Sequence, residues 1–252
     1  MAGGRYGGVL SVTVRFVIVG RDVHIAPVMN MEKDKITIKI CGLMRAEDVT
    51  LCAGLSADIL GFVTEYPAPV PWNLTSDEAA ALLADAPSTC KTCLVTGGSA
   101  QKVVALAAAL QPDYIQLHYH ETPSQTAEIA CELRALGIGV IRAVFPDAQD
   151  LERDLEELCA SDIRALLADP RVPTDAARGG LADIMFFERV RGLSNKPVIL
   201  AGGLTPDNVD DLLQKTGAQH IDVMTGVERS PGIKDAAMVE TLIRAVRDVK
   251  AR

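Results

Sequence analysis

From Lys35 onward, short apolar, β-branched runs alternate with longer Ala- and Leu-rich runs. The short runs are Ile36–Ile40, Ile59–Val63, Thr92–Val95, Tyr114–Leu117, Gly139–Val144, Ala165–Leu167, Val198–Leu200 and Ile221–Val223. They are apolar nearly throughout, as expected of parallel strands covered on the outside by helices. Eight strand-plus-helix units predict an α/β fold, a single-domain (β/α)8 TIM barrel over residues 35–252. The helix starts are marked locally. Thr75 with Glu78, and Thr122 with Gln125, have the spacing of a capping box, and Pro123 suits a first helical position. Thr205-Pro206-Asp207 predicts another helix start, a further helix is expected to begin near Lys234, and Gly137 suits a C-terminal cap after Leu136. The acidic stretch from Asp147 to Glu157 reads as a solvated helix face.

Residues 1–34 fall outside the repeat. Gly3, Gly4, Gly7 and Gly8 open the chain, and the β-branched run Val9–Val19 is interrupted by Arg15. That run is too short and too charged to span a membrane, and no small-residue cleavage site follows an apolar core. The segment reads as an N-terminal extension: either a start placed too early, with Met29 or Met31 as the natural one, or a hairpin under the barrel. Because the repeat is complete from Lys35, a chain begun at Met31 is expected to fold.

Composition narrows the partners. Only 4% of residues are aromatic, so the core must be built of aliphatic side chains. The net charge of −8 argues against nucleic acid as a partner. An anionic substrate would therefore need a local positive site, such as helix N-termini. Six scattered cysteines, in a chain too large to depend on disulfides, suit a reduced, cytoplasmic protein. Cys90 and Cys93 form a lone CxxC inside a strand, where positions three apart face opposite sides, and no second CxxC follows to complete a zinc site. No metal is expected.

The candidate chemistry lies where strands end, because loops at that edge carry the ligands in parallel α/β folds. Cys41 follows the first strand and Asp169 the sixth, so in a closed barrel both can reach one central pocket, a thiol and a carboxylate suited to moving protons. Each residue taken singly also suits a packing or capping role. Ala201-Gly202-Gly203-Leu204 follows strand seven and Thr225-Gly226-Val227 strand eight, the usual phosphate position of such barrels. His118 and His120 follow strand four, where alternation would put them on one side. Two long loops, Thr64 to Leu74 with Pro67, Pro69 and Pro71, and Asp169 to Asp183 with Gly179-Gly180, are expected on the same face as lids or substrate walls.

Together, Lys39-Ile40-Cys41-Gly42-Leu43, Ala57-Asp58-Ile59-Leu60-Gly61-Phe62-Val63, Ile115-Gln116-Leu117-His118, Leu200 to Val209 and Asp222 to Glu228 resemble the blocks of the phosphoribosylanthranilate isomerase family, in order, from Lys35 to the C-terminus. The resemblance implies a cofactor-free isomerase of tryptophan biosynthesis. Its reaction is the Amadori rearrangement of an N-(5-phosphoribosyl) amine to a 1-amino-1-deoxyribulose 5-phosphate. By position Cys41 resembles the family's general base and Asp169 its general acid. Gly202, Gly203, Gly226 and Gly180 fall at its phosphate site, and His118, Asp222 and Lys39 at substrate-contacting positions. The implied partner is a small-molecule phosphosugar substrate, with no nucleic acid or membrane, and the protein itself would be a monomer or homodimer. The chain departs from the family in the loop after strand two, where Ser-Pro-Arg is replaced by Pro69-Val70-Pro71. The family's arginine there meets the anthranilate carboxylate, and Arg142 or Arg178 would have to replace it. Tyr119 and His120, Gly179 to Ala182, and Met224 with Thr225 depart as well. A barrel acting on another phosphosugar, as an aldolase or epimerase, and a non-catalytic phosphosugar-binding relative are the competing readings.

Overall fold

A computed structural model of the chain describes residues 35–170 and 183–249. The proposed extension over 1–34, and Arg178, Gly179 and Gly180, lie outside the described residues. Eight parallel strands close into a barrel in sequential order: β1 (Thr37–Ile40), β2 (Ile59–Val63), β3 (Lys91–Thr96), β4 (Tyr114–Leu117), β5 (Gly139–Val144), β6 (Ala165–Ala168), β7 (Val198–Leu200) and β8 (His220–Val223). Closure comes from β1 pairing with β8, where Lys39 lies opposite Asp222 and Ile40 opposite Val223. The helices on the outside are α1 (Ala46–Gly54), α2 (Ser76–Asp85), α3 (Ala100–Leu110), α4 (Pro123–Ala135), α5 (Leu151–Ala160), α6 (Ile184–Leu193), α7 (Val209–Thr216) and α8 (Ala236–Val249).

Alternation along each strand explains both cores. Ile38, Ile40, Leu60, Leu94, Ile115, Val140, Leu166 and Val223 point outward into the layer shared with the helices. Ile59, Cys93, Tyr114, Ile141, Ala165, Leu167 and Ile199 fill the lumen. Cys90, just before β3, belongs to the outer layer while Cys93 belongs to the lumen, so the two thiols of the CxxC face apart.

The local signals act as their chemistry requires. Thr75 and Glu78 form a complete capping box on α2, as do Thr122 and Gln125 on α4. Gly137 takes φ +75° after α4; its N–H reaches Arg134 and that of Ile138 reaches Leu133, the paired bonds of a Schellman stop. One expectation needs correction. Thr205-Pro206-Asp207 forms a turn, with the Asn208 side chain accepting from the Thr205 N–H, and α7 starts only at Val209. The helix expected near Lys234 is α8, and it is preceded by structure the sequence did not signal. A 3-10 turn (Thr225–Val227) leads into a hairpin of β9 (Glu228–Ser230) and β10 (Ile233–Lys234), and α8 starts at Ala236. The Asp48 carboxylate accepts from the Lys234 N–H, tying that hairpin to α1.

At the end of the barrel opposite the site, aspartates replace missing ladder bonds. Asp58 precedes β2 and accepts from the Ile38 N–H (2.8 Å), from Lys35 and from Arg247 (2.9 Å) of α8. Asp113 precedes β4 and does the same for the Thr92 N–H (2.9 Å) and Lys91 (2.8 Å). Hydrogen bonds to a charged group each contribute about 1.5–3 kcal/mol. Asp58→Ala is expected to lower unfolding free energy by about 2–3 kcal/mol while leaving turnover near wild type; denaturant unfolding alongside an activity assay tests this.

Candidate active site

A cleft opens at the C-terminal ends of the strands. It is about 680 Å³ and its walls include Cys41, Tyr66, Trp72, Gln116, His118, Gly202, Gly203, Asp222 and Gly226. Cys41 is the next inward position after Lys39, one residue beyond the end of β1, and its N–H is held by the Val223 carbonyl at 2.8 Å. Gly42 then takes φ +71°, which turns the chain away; a side chain there would collide with Met224. The room for the thiol comes from Gly61 on β2. A Cβ at that position would lie 2.9 Å from the Cys41 sulfur and 3.1 Å from the Lys39 side chain. Nothing in the sequence marks Gly61 for this role, because an absent side chain matters only to a neighbour that folding brings beside it.

Lys39 and Asp222 face each other across the closing strand pair, Nζ to Oδ1 at 3.0 Å, with the lysine 1% exposed. Lys39 therefore lies beneath Cys41 and does not line the cleft, whereas Asp222 does. Burial alone would lower the Lys39 pKa, but Asp222, Cys41 and Cys93 around it hold it above its ordinary value, so it carries a fixed positive charge. Burial pushes the Cys41 thiol up, Lys39 pulls it back down, and Asp222 opposes that pull. The net direction remains upward because desolvation is the larger effect.

Asp169 follows β6, 1% exposed, directly behind the cleft wall. Its Oδ2 lies 3.4 Å from His118 Nε2, and its Oδ1 borders Gly202. Gln116 Nε2 meets His118 Nδ1 at 3.0 Å, which sets the ring proton on Nε2, toward Asp169. The Gln116 Oε1 oxygen is buried in the cleft wall and has no hydrogen-bond partner among the described residues. His120 does not join His118: β4 ends at Leu117, so strand alternation does not extend to it, and its ring packs on Tyr119 beside a separate cavity. Among the described residues no group of three His, Cys, Asp or Glu side chains is placed to hold a metal ion.

Beside Cys41, after β7 and β8, the wall is mainly backbone. Gly202 and Gly203 both have positive φ (+83° and +65°), conformations a side chain would strain. Gly226 packs so tightly that a Cβ would run into the Leu204 carbonyl; its glycine serves the contact between the two loops. Behind them Lys234 donates to the Met224 carbonyl (3.1 Å) and to Glu228 (2.7 Å).

The third side is the loop after β2. Asn73 ties it to Tyr66 through both of its amide atoms, and Thr64 bridges Leu74. Its three prolines are turned so that Tyr66 and Trp72, 7% and 3% exposed, pack with Cys41, Val63 and Val95 in one apolar cluster. Trp72 donates to the Glu228 carboxylate at 3.1 Å. Neither Glu228 nor Lys234 stood out as a member of this wall in the sequence, since they enter it through a hairpin with no strong pattern. Arg142 does not reach the cleft. It donates to the carbonyls of Leu117 (3.1 Å) and Glu121 (2.7 Å) and pairs with the Glu121 carboxylate (3.4 Å).

The family model described as N-(5'phosphoribosyl)anthranilate (PRA) isomerase matches residues 38–245. An N-(5'-phosphoribosyl)anthranilate isomerase of Cereibacter sphaeroides is 34% identical over 215 residues, 84% of this chain and 99% of that one. The crystal structure of phosphoribosyl anthranilate isomerase from Thermus thermophilus superposes with a TM-score of 0.70 at 26% identity, covering 86% of this chain and 100% of the other. A phosphoribosyl anthranilate isomerase in complex with reduced 1-(o-carboxyphenylamino)-1-deoxyribulose 5-phosphate superposes with a TM-score of 0.67 at 26% identity, covering 84% and 99%.

Gly61→Val is expected to press directly on the Cys41 thiol and the Lys39 stem. Turnover should fall at least ~10-fold through kcat, the size of effect a misplaced reacting group produces, with smaller change in KM. Steady-state kinetics with a parallel melting curve checks this; unchanged kcat in a folded variant would show that the space beside Cys41 is not used.

Proposed function

This chain belongs to the N-(5'-phosphoribosyl)anthranilate isomerase family, and we propose that Cys41 is the base and Asp169 the acid of its reaction. The family's reaction converts an N-(5-phosphoribosyl) amine into a 1-amino-1-deoxyribulose 5-phosphate, an aldose-to-ketose isomerisation that serves tryptophan biosynthesis. Among the described residues no helix is long and apolar enough to cross a membrane. The six free cysteines favour a reducing, cytoplasmic setting.

The observation that carries this reading is the placement of Cys41 and of the His118–Asp169 pair at the ends of β1, β4 and β6 around one cleft, with a backbone-lined wall completing it. Asp169 passes a proton to the furanose ring oxygen, and the C1–O bond breaks to leave a protonated Schiff base at C1. Cys41 removes the proton from C2, and the electron pair moves to give the C1=C2 enaminol. Protonation at C1 and loss of the enol proton yield the ketone, so no proton is gained or lost overall. His118 holds the Asp169 carboxyl in position from the Nε2 side. The Gln116 Oε1 oxygen offers an acceptor to a sugar hydroxyl or to the anomeric N–H. Gly202, Gly203, Gly226 and the backbone around them take the phosphate, for which a wall of amides without side chains is suited. Gly180 is assigned to the same end from the resemblance. Lys39 acts through Cys41 and Asp222, not on the substrate directly: it steadies the thiolate, the form of Cys41 that can take the C2 proton.

Cys41→Ala and Asp169→Asn are each expected to fold and to lose at least ~100-fold in kcat/KM, the contribution usual for one acid or base. Since burial raises the Cys41 pKa, the thiolate is the minor form at neutral pH, and in Asp169→Asn, where no acid titrates against it, the residual kcat/KM should climb as pH rises above 7. Turnover near wild type in either variant, or a rate in Asp169→Asn that falls over this pH range, would remove the assignment. Such a rate profile for wild type, Cys41→Ala and Asp169→Asn on one N-(5-phosphoribosyl) amine provides the measurement.

A further inference from the structure

The end of the cleft that receives the amine's substituent is apolar and, among the described residues, without an available cation. Val63, Tyr66, Val70, Trp72, Val95 and Met224 surround it. Both rings with polar handles turn those handles away from the cleft: the Trp72 N–H donates to Glu228, and the Tyr66 hydroxyl donates to the His118 carbonyl at 2.8 Å. Only ring faces and aliphatic carbons remain to meet a ligand.

The buried cations around the cleft are each held by a carboxylate. Lys39 is on Asp222, Lys234 on Glu228, and Arg142 on Glu121 and three carbonyls. Lys102 donates to the Glu65 and Gly97 carbonyls beside the same loop. Drawing one of these onto a ligand would leave its present partner buried and unpaired, which is costly. A carboxylate on the amine substituent would therefore lose water, gain no counter-ion among the described residues, and approach Glu228 across the indole of Trp72. Resting on the proposed isomerase reading, we infer that this end of the site recognises an uncharged aromatic amine, with Trp72 as its platform and Val70 as the residue that sets the preference. A carboxylate ortho to the amine adds nothing to binding.

Two stable reduced product analogues separate the terms: 1-(phenylamino)-1-deoxyribitol 5-phosphate and its o-carboxyphenyl counterpart, titrated calorimetrically against the full chain. They differ only in the carboxylate. The carboxylate-free ligand is expected to bind about tenfold more tightly, the loss associated with one desolvated charged group left without a partner. Val70→Arg should reverse the order, tightening only the carboxylated ligand. A wild-type protein that binds the carboxylated analogue more tightly overturns the inference, whatever the variant does. Turnover of N-(5-phosphoribosyl)aniline and of N-(5-phosphoribosyl)anthranilate, each formed in situ from ribose 5-phosphate and the amine, tests the underlying reading separately. If both are isomerised but the carboxylated ligand binds better, the inference alone falls. If neither is isomerised and neither analogue binds, the isomerase reading fails and the inference falls with it.

Discussion

A lysine ammonium inside a closed barrel must have a counter-ion. Lys39 occupies an inward position of β1, where water cannot follow, and a lone buried charge would be untenable. Asp222 stands opposite it only because β8 pairs with β1, so closing the barrel and neutralising the charge are the same event. Removing one partner of such a pair typically costs about 3–5 kcal/mol, whereas the pair itself is close to neutral for stability. What the pair contributes is position: an ammonium fixed under the Cys41 sulfur and a carboxylate fixed in the cleft wall.

The remaining geometry of the cleft follows from how its neighbours are fastened. Gly61 leaves the thiol its volume, Gly42 bends the chain off the strand, and Gly226 lets two loops touch. The hairpin β9–β10 carries Glu228 and Lys234 to the back of Trp72, so the substituent end is held by a buried ion pair that does not itself face the ligand. The two ends of the cleft thus differ in kind. One wall is backbone, suited to a phosphate dianion; the other is aromatic and aliphatic, with its polar atoms turned inward.

This division also explains why no described cation faces the ligand at this end. Each described buried positive group here already fixes a loop or a strand end, and each would release its carboxylate if it turned to a ligand. Arg142 is the clearest case. Its guanidinium holds the carbonyls that follow β4 and so shapes the turn leading from His118 to α4.

Much of the architecture could be read from the chain, because strand, helix and cap signals are local: eight apolar runs, two capping boxes and a glycine stop depend on residues a few positions apart. The positions of Cys41 and Asp169 at strand ends were also legible, since each directly follows an apolar run. What escaped was everything created by distant contact. Whether Lys39 contacts a ligand or an aspartate was decided by the pairing of β1 with β8. Whether His120 accompanies His118 was decided by where β4 ends, and whether Arg142 serves the cleft by which carbonyls surround it. The direction of the Cys41 pKa depended on weighing burial against one ammonium. Periodicity reports which face a side chain takes; only closure of the barrel determines what stands on the other side, because those neighbours are up to 183 positions away along the chain.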